Sequence, residues 1–317
     1  MKSEGLAIKG LLWAEWAMLA YVLFTLLLMF LHWQQFEQPM PMLWGRLGAV
    51  GATLVLWRVY RRWPSRWTVF LRVAFQMSLL SWWYPDTYEL NRFLPNLDHH
   101  FAALEQAFFG CQPALLFSQQ WPQPLVSELL SLGYVSYYPL IALVTLYYFF
   151  RRYDRFLNAV FIIMASFFLF YVIFDLLPVV GPQFYYEAVG TDLIAQGQFP
   201  DLGLYFFDHQ ECLDIPGWGD GPFHHLVQQA HDAGERPTAA FPSSHVGITT
   251  VLLWLARDTR CRWLFWTVAV FGLLMFFATF YIYAHYAIDA LAGLAVGTLF
   301  YFVLRAITPQ VNAATRA

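Results

Sequence analysis

The chain has 317 residues, of which 59% are apolar and 20% aromatic, with only 12% charged and a net charge of −3. Soluble domains carry about 25% charged residues, so this chain cannot clothe a water-facing globule, and its solvent is lipid. Nucleic acid is not an expected partner; membrane lipids are.

Runs of about 20 apolar residues read as transmembrane helices. Eight are predicted, at 11–32, 42–60, 66–84, 129–150, 156–180, 241–256, 263–282 and 285–304. Several are impure: Glu15, Arg46, Arg72, Gln76 and Asp175 fall in or near them. The first run spans rather than serving as a signal peptide, because no small-residue cleavage site follows it. The expected fold class is therefore all-α, a polytopic membrane helix bundle. Its organisation reads as N-terminal transmembrane helices (1–84), an extracytoplasmic or interfacial segment (85–128), a second membrane domain (129–304) that holds the motifs described below, and a cytoplasmic tail (305–317).

Orientation follows from the cations. Residues 1–10, 58–72, 151–155, 257–262 and 305–317 hold 15 of the 18 Lys and Arg, leaving Arg46, Arg92 and Arg236 for the other side. Acidic residues are distributed the opposite way. The basic side is expected to be cytoplasmic, which places both termini there and agrees with an even number of spans. A bacterial inner membrane with a periplasmic site, or a lumenal equivalent, is the expected setting.

Two long connections then face outward. Residues 85–128 contain five prolines around an amphipathic stretch at 97–109 suited to an interface. Residues 181–240 are rich in Gly, Pro, Asp and His, and a loop of this length usually serves a function. Asp208, His209, Glu211, His224, His225 and His231 lie there, but their spacing fits no standard metal-ligand pattern. No metal and no cofactor is expected. Gln183 and Tyr185, just after an emerging helix, are candidate headgroup contacts. Cys111 and Cys212 fall in the two outer connections, where an oxidising compartment permits a bridge.

Chemistry concentrates in Phe241-Pro242-Ser243-Ser244-His245-Val246-Gly247. Pro242 suits the first turn of a helix. The first-turn N–H groups lack intrahelical partners and offer a ready phosphate site, to which Ser243 and Ser244 add hydroxyl donors. His285-Tyr286-Ala287-Ile288-Asp289 opens the last span. Residues four apart on a helix share a face, so Asp289 is expected to hydrogen-bond one ring nitrogen of His285, leaving the other as a nucleophile. An ionisable pair in a membrane segment is a functional candidate by default. The topology puts His245 and His285 at the outer ends of their helices, able to share one site.

Pro242-Ser243-Ser244-His245 followed by His285-x-x-x-Asp289 resembles the last two signature motifs of the type-2 phosphatidic-acid-phosphatase superfamily. The spelling Phe-Pro-Ser-Ser-His with His-Tyr-Ala-Ile-Asp-Ala-Leu-Ala-Gly looks most like its inositol phosphorylceramide synthase branch. The resemblance implies a metal-independent mechanism. His285 attacks phosphorus to give a phosphohistidine, Asp289 orients it, and His245 protonates the leaving oxygen and later deprotonates the acceptor. Ser243, Ser244 and the helix start hold the phosphoryl oxygens. Two departures stand out. The superfamily's hydrolases carry an Arg six residues before the nucleophile, where this chain has Thr279. Their upstream Lys is also missing, since Gln229 stands seven residues before Arg236, although Arg236-Pro237 is present. Arg236 is a candidate substitute phosphate ligand. Fewer cations suit a phosphodiester better than a phosphomonoester, which favours transfer of a phospho-headgroup to a lipid hydroxyl over a lipid phosphate phosphatase. A transporter, the reading from another class, expects polar groups spread through the membrane depth.

Overall fold

A helix stands at each of the eight predicted span positions. A computed structural model describes residues 10–316, among which no strand occurs. The helices are α1 (Trp13–Leu31), α2 (Pro39–Arg62), α3 (Arg66–Ser78), α4 (Leu80–Asn91), α5 (Asp98–Phe109), α6 (Pro113–Gln120), α7 (Pro124–Val135) and α8 (Tyr137–Arg151). They continue with α9 (Phe156–Leu176), α10 (Pro182–Val189), α11 (Thr191–Ala195), α12 (Pro222–Gly234), α13 (Ser244–Asp258), α14 (Arg262–Tyr281) and α15 (Ala287–Arg316). Residues 1–9, which the sequence assigns to the basic side, lie outside the described part.

The all-α membrane fold is as expected, whereas the span count is lower by the measure of length and apolarity. Four described helical stretches are long and apolar enough to cross a membrane, Trp13–Leu31, Tyr153–Leu176, Arg262–Tyr281 and Ala287–Thr308. The α7–α8 pair, bent by 47° at Ser136, makes a fifth if taken as one span. The other three positions fall short for separate reasons. α2 has four arginines along its length. The 66–84 run breaks at Leu79 into α3 and α4. α13 has 15 residues, about 22 Å of helix against a hydrocarbon core of about 30 Å.

The polar residues inside the apolar helices are paired. Arg72 on α3 meets Glu15 on α1 at 2.5 Å, and Arg46 on α2 meets Asp86 on α4 at 2.6 Å. Gln76 donates to the Thr53 hydroxyl at 2.8 Å, and Tyr21 donates to Asp175 at 3.0 Å. A charge in lipid is costly unless it finds such a partner. Arg46, Arg72, Gln76 and Asp175 are thus turned toward neighbouring helices.

α9 is the central post, buried on nearly all sides among α1, α4, α8, α13 and α15. Its largely apolar character therefore reflects protein packing as much as lipid contact. α13 and α15 cross very closely. A Cβ on Gly297 would overlap the backbone of Gly247, and one on Gly293 would overlap the Ser243 carbonyl. Small residues four apart let helix backbones approach in this way. The Ser243 N–H also donates to the Asp289 carbonyl at 3.0 Å. The starts of α13 and α15 are tied together, and both signature motifs lie there.

The two outer connections are largely helical. Residues 85–128 contain the end of α4, then α5 and α6 and the start of α7, and α5 coincides with the amphipathic stretch expected at 97–109. Residues 181–240 contain α10, α11 and α12. The bridge that an oxidising compartment would permit is not formed. Cys111 and Cys212 are both free, with Cys111 in the turn between α5 and α6 and the Cys212 sulfur 3.8 Å from the His231 ring.

Candidate active site

His245 and His285 come together. His285 Nε2 lies 3.4 Å from His245 Nδ1, with the rings edge to face. Pro242, expected in the first turn of α13, instead precedes the helix, which begins at Ser244 with Ser243 as its N-cap. The Ser243 hydroxyl accepts the Val246 N–H at 3.4 Å. That satisfies one of the donors of the helix start and leaves the N–H groups of Ser244 and His245 as the first-turn donors without intrahelical partners. His245 is flanked by Tyr134, stacked at 4.7 Å, and Tyr137 at 4.4 Å.

His285 sits two residues ahead of α15, in the turn from α14, rather than inside the helix. Its Nδ1 lies 2.7 Å from the Ala240 carbonyl. A carbonyl only accepts, so Nδ1 carries the proton and Nε2 presents its lone pair to His245. His245 in turn places a proton on the Nδ1 that faces that lone pair. The expected His285–Asp289 hydrogen bond is replaced by this main-chain contact. The Asp289 carboxylate is 3.9 Å from Nδ1, too far to accept from it. It accepts instead from the Tyr286 N–H at 2.9 Å, which is half of a capping box at the start of α15. Helical i, i+4 stacking does not apply, since the first member of the pair is outside the helix.

The turn that presents His285 is held from several directions. The His285 N–H donates to the carbonyl of Thr279, at the position where the superfamily's hydrolases carry Arg. Tyr283 has φ of 68°, a strained conformation for a residue other than Gly. Its carbonyl accepts the Gln183 N–H at 2.9 Å, and its hydroxyl is 3.0 Å from that of Ser118. Two acids from α5 complete the frame. Asp98 accepts the N–H groups of Val180 and Gly181 and the Tyr286 hydroxyl, at 2.7, 2.9 and 3.0 Å. Glu105 accepts the Ile288 N–H at 3.1 Å, in the first turn of α15. Burial holds both carboxyls above the usual carboxylate range, Glu105 at about 7. The sequence reading did not single out Glu105. Its signal was the single carboxylate in the otherwise uncharged stretch Phe101-Ala102-Ala103-Leu104-Glu105-Gln106-Ala107-Phe108-Phe109.

A cavity of about 360 Å³ opens beside His245. Tyr84, Tyr134, Tyr137, Tyr138 and Tyr171 line it, with Phe167, Gln183, His231, Glu235 and Ser244 among the rest. No Lys or Arg does so among the described residues. The Tyr84 hydroxyl donates to Glu235 at 2.8 Å. Burial pushes the Glu235 carboxyl up. Gln183, an expected headgroup contact, lies in this lining, and its side-chain oxygen is 3.1 Å from His231 Nε2. Tyr185 is elsewhere, buried and donating to the Pro200 carbonyl at 2.8 Å. Arg236 is exposed and donates to the carbonyl of Glu235 at 3.1 Å, outside the lining. Among the described residues no three His, Cys, Asp or Glu side chains converge as a metal set. His209 stacks on Tyr205, and His231 faces Gln183.

Fold and site together define a helical membrane protein with two facing imidazoles beside a helix N-terminus. Residues 99–303 match the family model described as PAP2 superfamily. The match covers well over half the chain, and the chain belongs to that superfamily of phosphatases and phosphotransferases. It begins in α5, ahead of residue 129, and so takes in Glu105. No curated protein and no solved structure matches the chain.

Proposed function

We propose that this protein is a lipid phosphotransferase that moves a phospho-headgroup from a phospholipid to a lipid hydroxyl through a phosphohistidine at His285. The observation that carries the reading is the pairing of His285 Nε2 with His245 Nδ1 at 3.4 Å while the Ala240 carbonyl holds the opposite side of the His285 ring. The Nε2 lone pair attacks phosphorus, and an N–P bond forms as the bond from phosphorus to the diacylglycerol oxygen breaks. His245 gives that oxygen its proton. The same imidazole then takes the proton of the acceptor hydroxyl, whose oxygen displaces His285 from phosphorus. Ser243, Ser244 and the N–H groups at the start of α13 hold the phosphoryl oxygens as charge builds on them. Asp289, within 3.9 Å, favours the cationic ring of the intermediate.

The choice of transfer over hydrolysis rests on charge. The cavity beside His245 offers no Lys or Arg among the described residues, which suits the single charge of a phosphodiester better than a monoester dianion. The substrates are membrane lipids, and the site faces the periplasm or a lumen by the asymmetry of Lys and Arg along the chain. The test is purified protein supplied with labelled phospholipid and a lipid acceptor. Formation of a new phospho-lipid that disappears in His285→Ala supports the reading. Release of free phosphate without a new lipid identifies a phosphatase instead.

A further inference from the structure

The cavity next to His245 has an unusual balance of groups for a site that handles an anion. Tyr84, Tyr134, Tyr137, Tyr138 and Tyr171 contribute five phenol rings to its lining. Its charged residue is an acid, Glu235, whose carboxylate takes a hydrogen bond from Tyr84. A phosphate seated against His245 projects the rest of its headgroup into this space. An anionic headgroup there meets Glu235 with the same sign. A neutral polyol can bond to the tyrosine hydroxyls and Gln183 but gains no charge pairing from Glu235. A cation gains on both counts, because ring faces attract it through their quadrupole and a buried carboxylate pairs with it.

Resting on the transferase reading, we infer that the transferred headgroup carries an ammonium group, held by Glu235 and the tyrosine faces of this cavity. The donor lipid is then a zwitterionic phosphodiester of the choline or ethanolamine class. Its phosphate lies at the start of α13 and its cation at Glu235. Burial holds the Glu235 carboxyl above its ordinary range, and a neighbouring cation favours its ionised form. Tyr138 is 62% exposed, which places it at the rim of the space. His231 on α12, one turn before Glu235 at the end of that helix, is hydrogen-bonded to Gln183 on α10, which braces that side of the cavity. The aromatic share of the wall favours a methylated ammonium, whereas the carboxylate serves methylated and primary forms alike.

The test uses the full chain in maltoside micelles with four donors, phosphatidylcholine, phosphatidylethanolamine, phosphatidylinositol and phosphatidic acid, each with diacylglycerol and ceramide as acceptors. We expect turnover of an ammonium-bearing donor to exceed that of the inositol and phosphatidic acid forms by at least about ten-fold in kcat/KM. Glu235→Gln should raise KM for that donor by about ten-fold and leave KM for the inositol lipid unchanged. Tyr138→Leu should do the same more weakly, and Tyr138→Phe, which keeps the ring face, should not. Preference for phosphatidylinositol or phosphatidic acid, with turnover still lost in His285→Ala, overturns the ammonium site and leaves the transferase reading standing. If no donor shows His285-dependent turnover, the transferase reading falls. Calorimetric titration of His285→Ala with phosphocholine and with inositol phosphate then decides the site alone. Binding of phosphocholine that weakens in Glu235→Gln supports it, and equal or weaker binding than inositol phosphate overturns it.

Discussion

His285 is oriented by the Ala240 carbonyl at 2.7 Å and not by Asp289, which stands 3.9 Å away and caps the start of α15. The two roles predict different mutational costs. His285→Ala removes the nucleophile and should abolish turnover. Asp289→Asn keeps an oxygen that can accept the Tyr286 N–H and removes only a charge near the ring. We expect it to lower kcat by about ten-fold, the scale of one charge-assisted contact, with the protein still folded. A loss as complete as that of His285→Ala, measured side by side in the same lipid assay, would show that the carboxylate orients the ring directly during turnover.

The facing imidazoles have a second consequence. At 3.4 Å the two nitrogens are in contact with each other. An in-line displacement needs phosphorus and the leaving oxygen between them, a span of roughly 6 Å built from a near-attack approach and a hydrogen bond. The His245 ring must therefore swing away when substrate enters, along its shelf of Tyr134 and Tyr137. A structure with a non-hydrolysable phosphonate lipid should show the gap opened by about 2–3 Å. An unchanged gap with the phosphonate bound elsewhere would contradict the assigned roles.

How much of this was legible from sequence depends on the kind of interaction. The meeting of His245 and His285 follows from topology, because α13 and α14 form a helical hairpin that returns the chain to the same end. The Ala240 contact was hidden, since a main-chain acceptor carries no signature in residue type. Glu105 and Glu235 were hidden for another reason. Glu105 reaches Ile288 across 183 positions, and Glu235 meets Tyr84 across 151, and neither separation has a periodicity to betray it. The eight-span count shows the opposite difficulty. Apolar composition reports removal from water, and α9 achieves this inside the protein as well as in lipid, while α13 is too short to serve as a spanning helix by length alone.

The crossing of α13 and α15 was readable in principle, as Gly293-x-x-x-Gly297 facing Gly247. It supplies a stability prediction with a built-in control. Gly297→Val places a branched side chain against the Gly247 backbone, where no flexible side chain can give way. We expect a loss of about 1–3 kcal/mol or failure to accumulate. The protein that does fold should lose activity, because Ser243 and His245 ride on the displaced helix. Gly48→Ala, in α2 with open space around the site of the added Cβ, should be neutral or stabilising by up to about 1 kcal/mol. Thermal unfolding in detergent measures both. Equal behaviour of the two variants would mean that the close helix approach contributes nothing.

The pH dependence of stability turns on Glu105. Burial raises its folded-state pKa to about 7 from an ordinary 4.5. Between those values the folded protein binds a proton that the unfolded chain has lost, so raising the pH favours unfolding. The penalty is absent below about pH 4.5, grows as pH rises and is fully developed above about 7, reaching on the order of 3 kcal/mol. Asp98, also raised, pulls in the same direction, so the comparison must isolate one group. Glu105→Gln retains an oxygen to accept the Ile288 N–H and cannot ionise. The variant should match the wild type at pH 5 and exceed it at pH 8 in unfolding temperature measured in detergent, with the gap opening through the interval between. A constant difference across that range would show that Glu105 is already neutral or already charged throughout, and that its hold on the start of α15 does not depend on its proton.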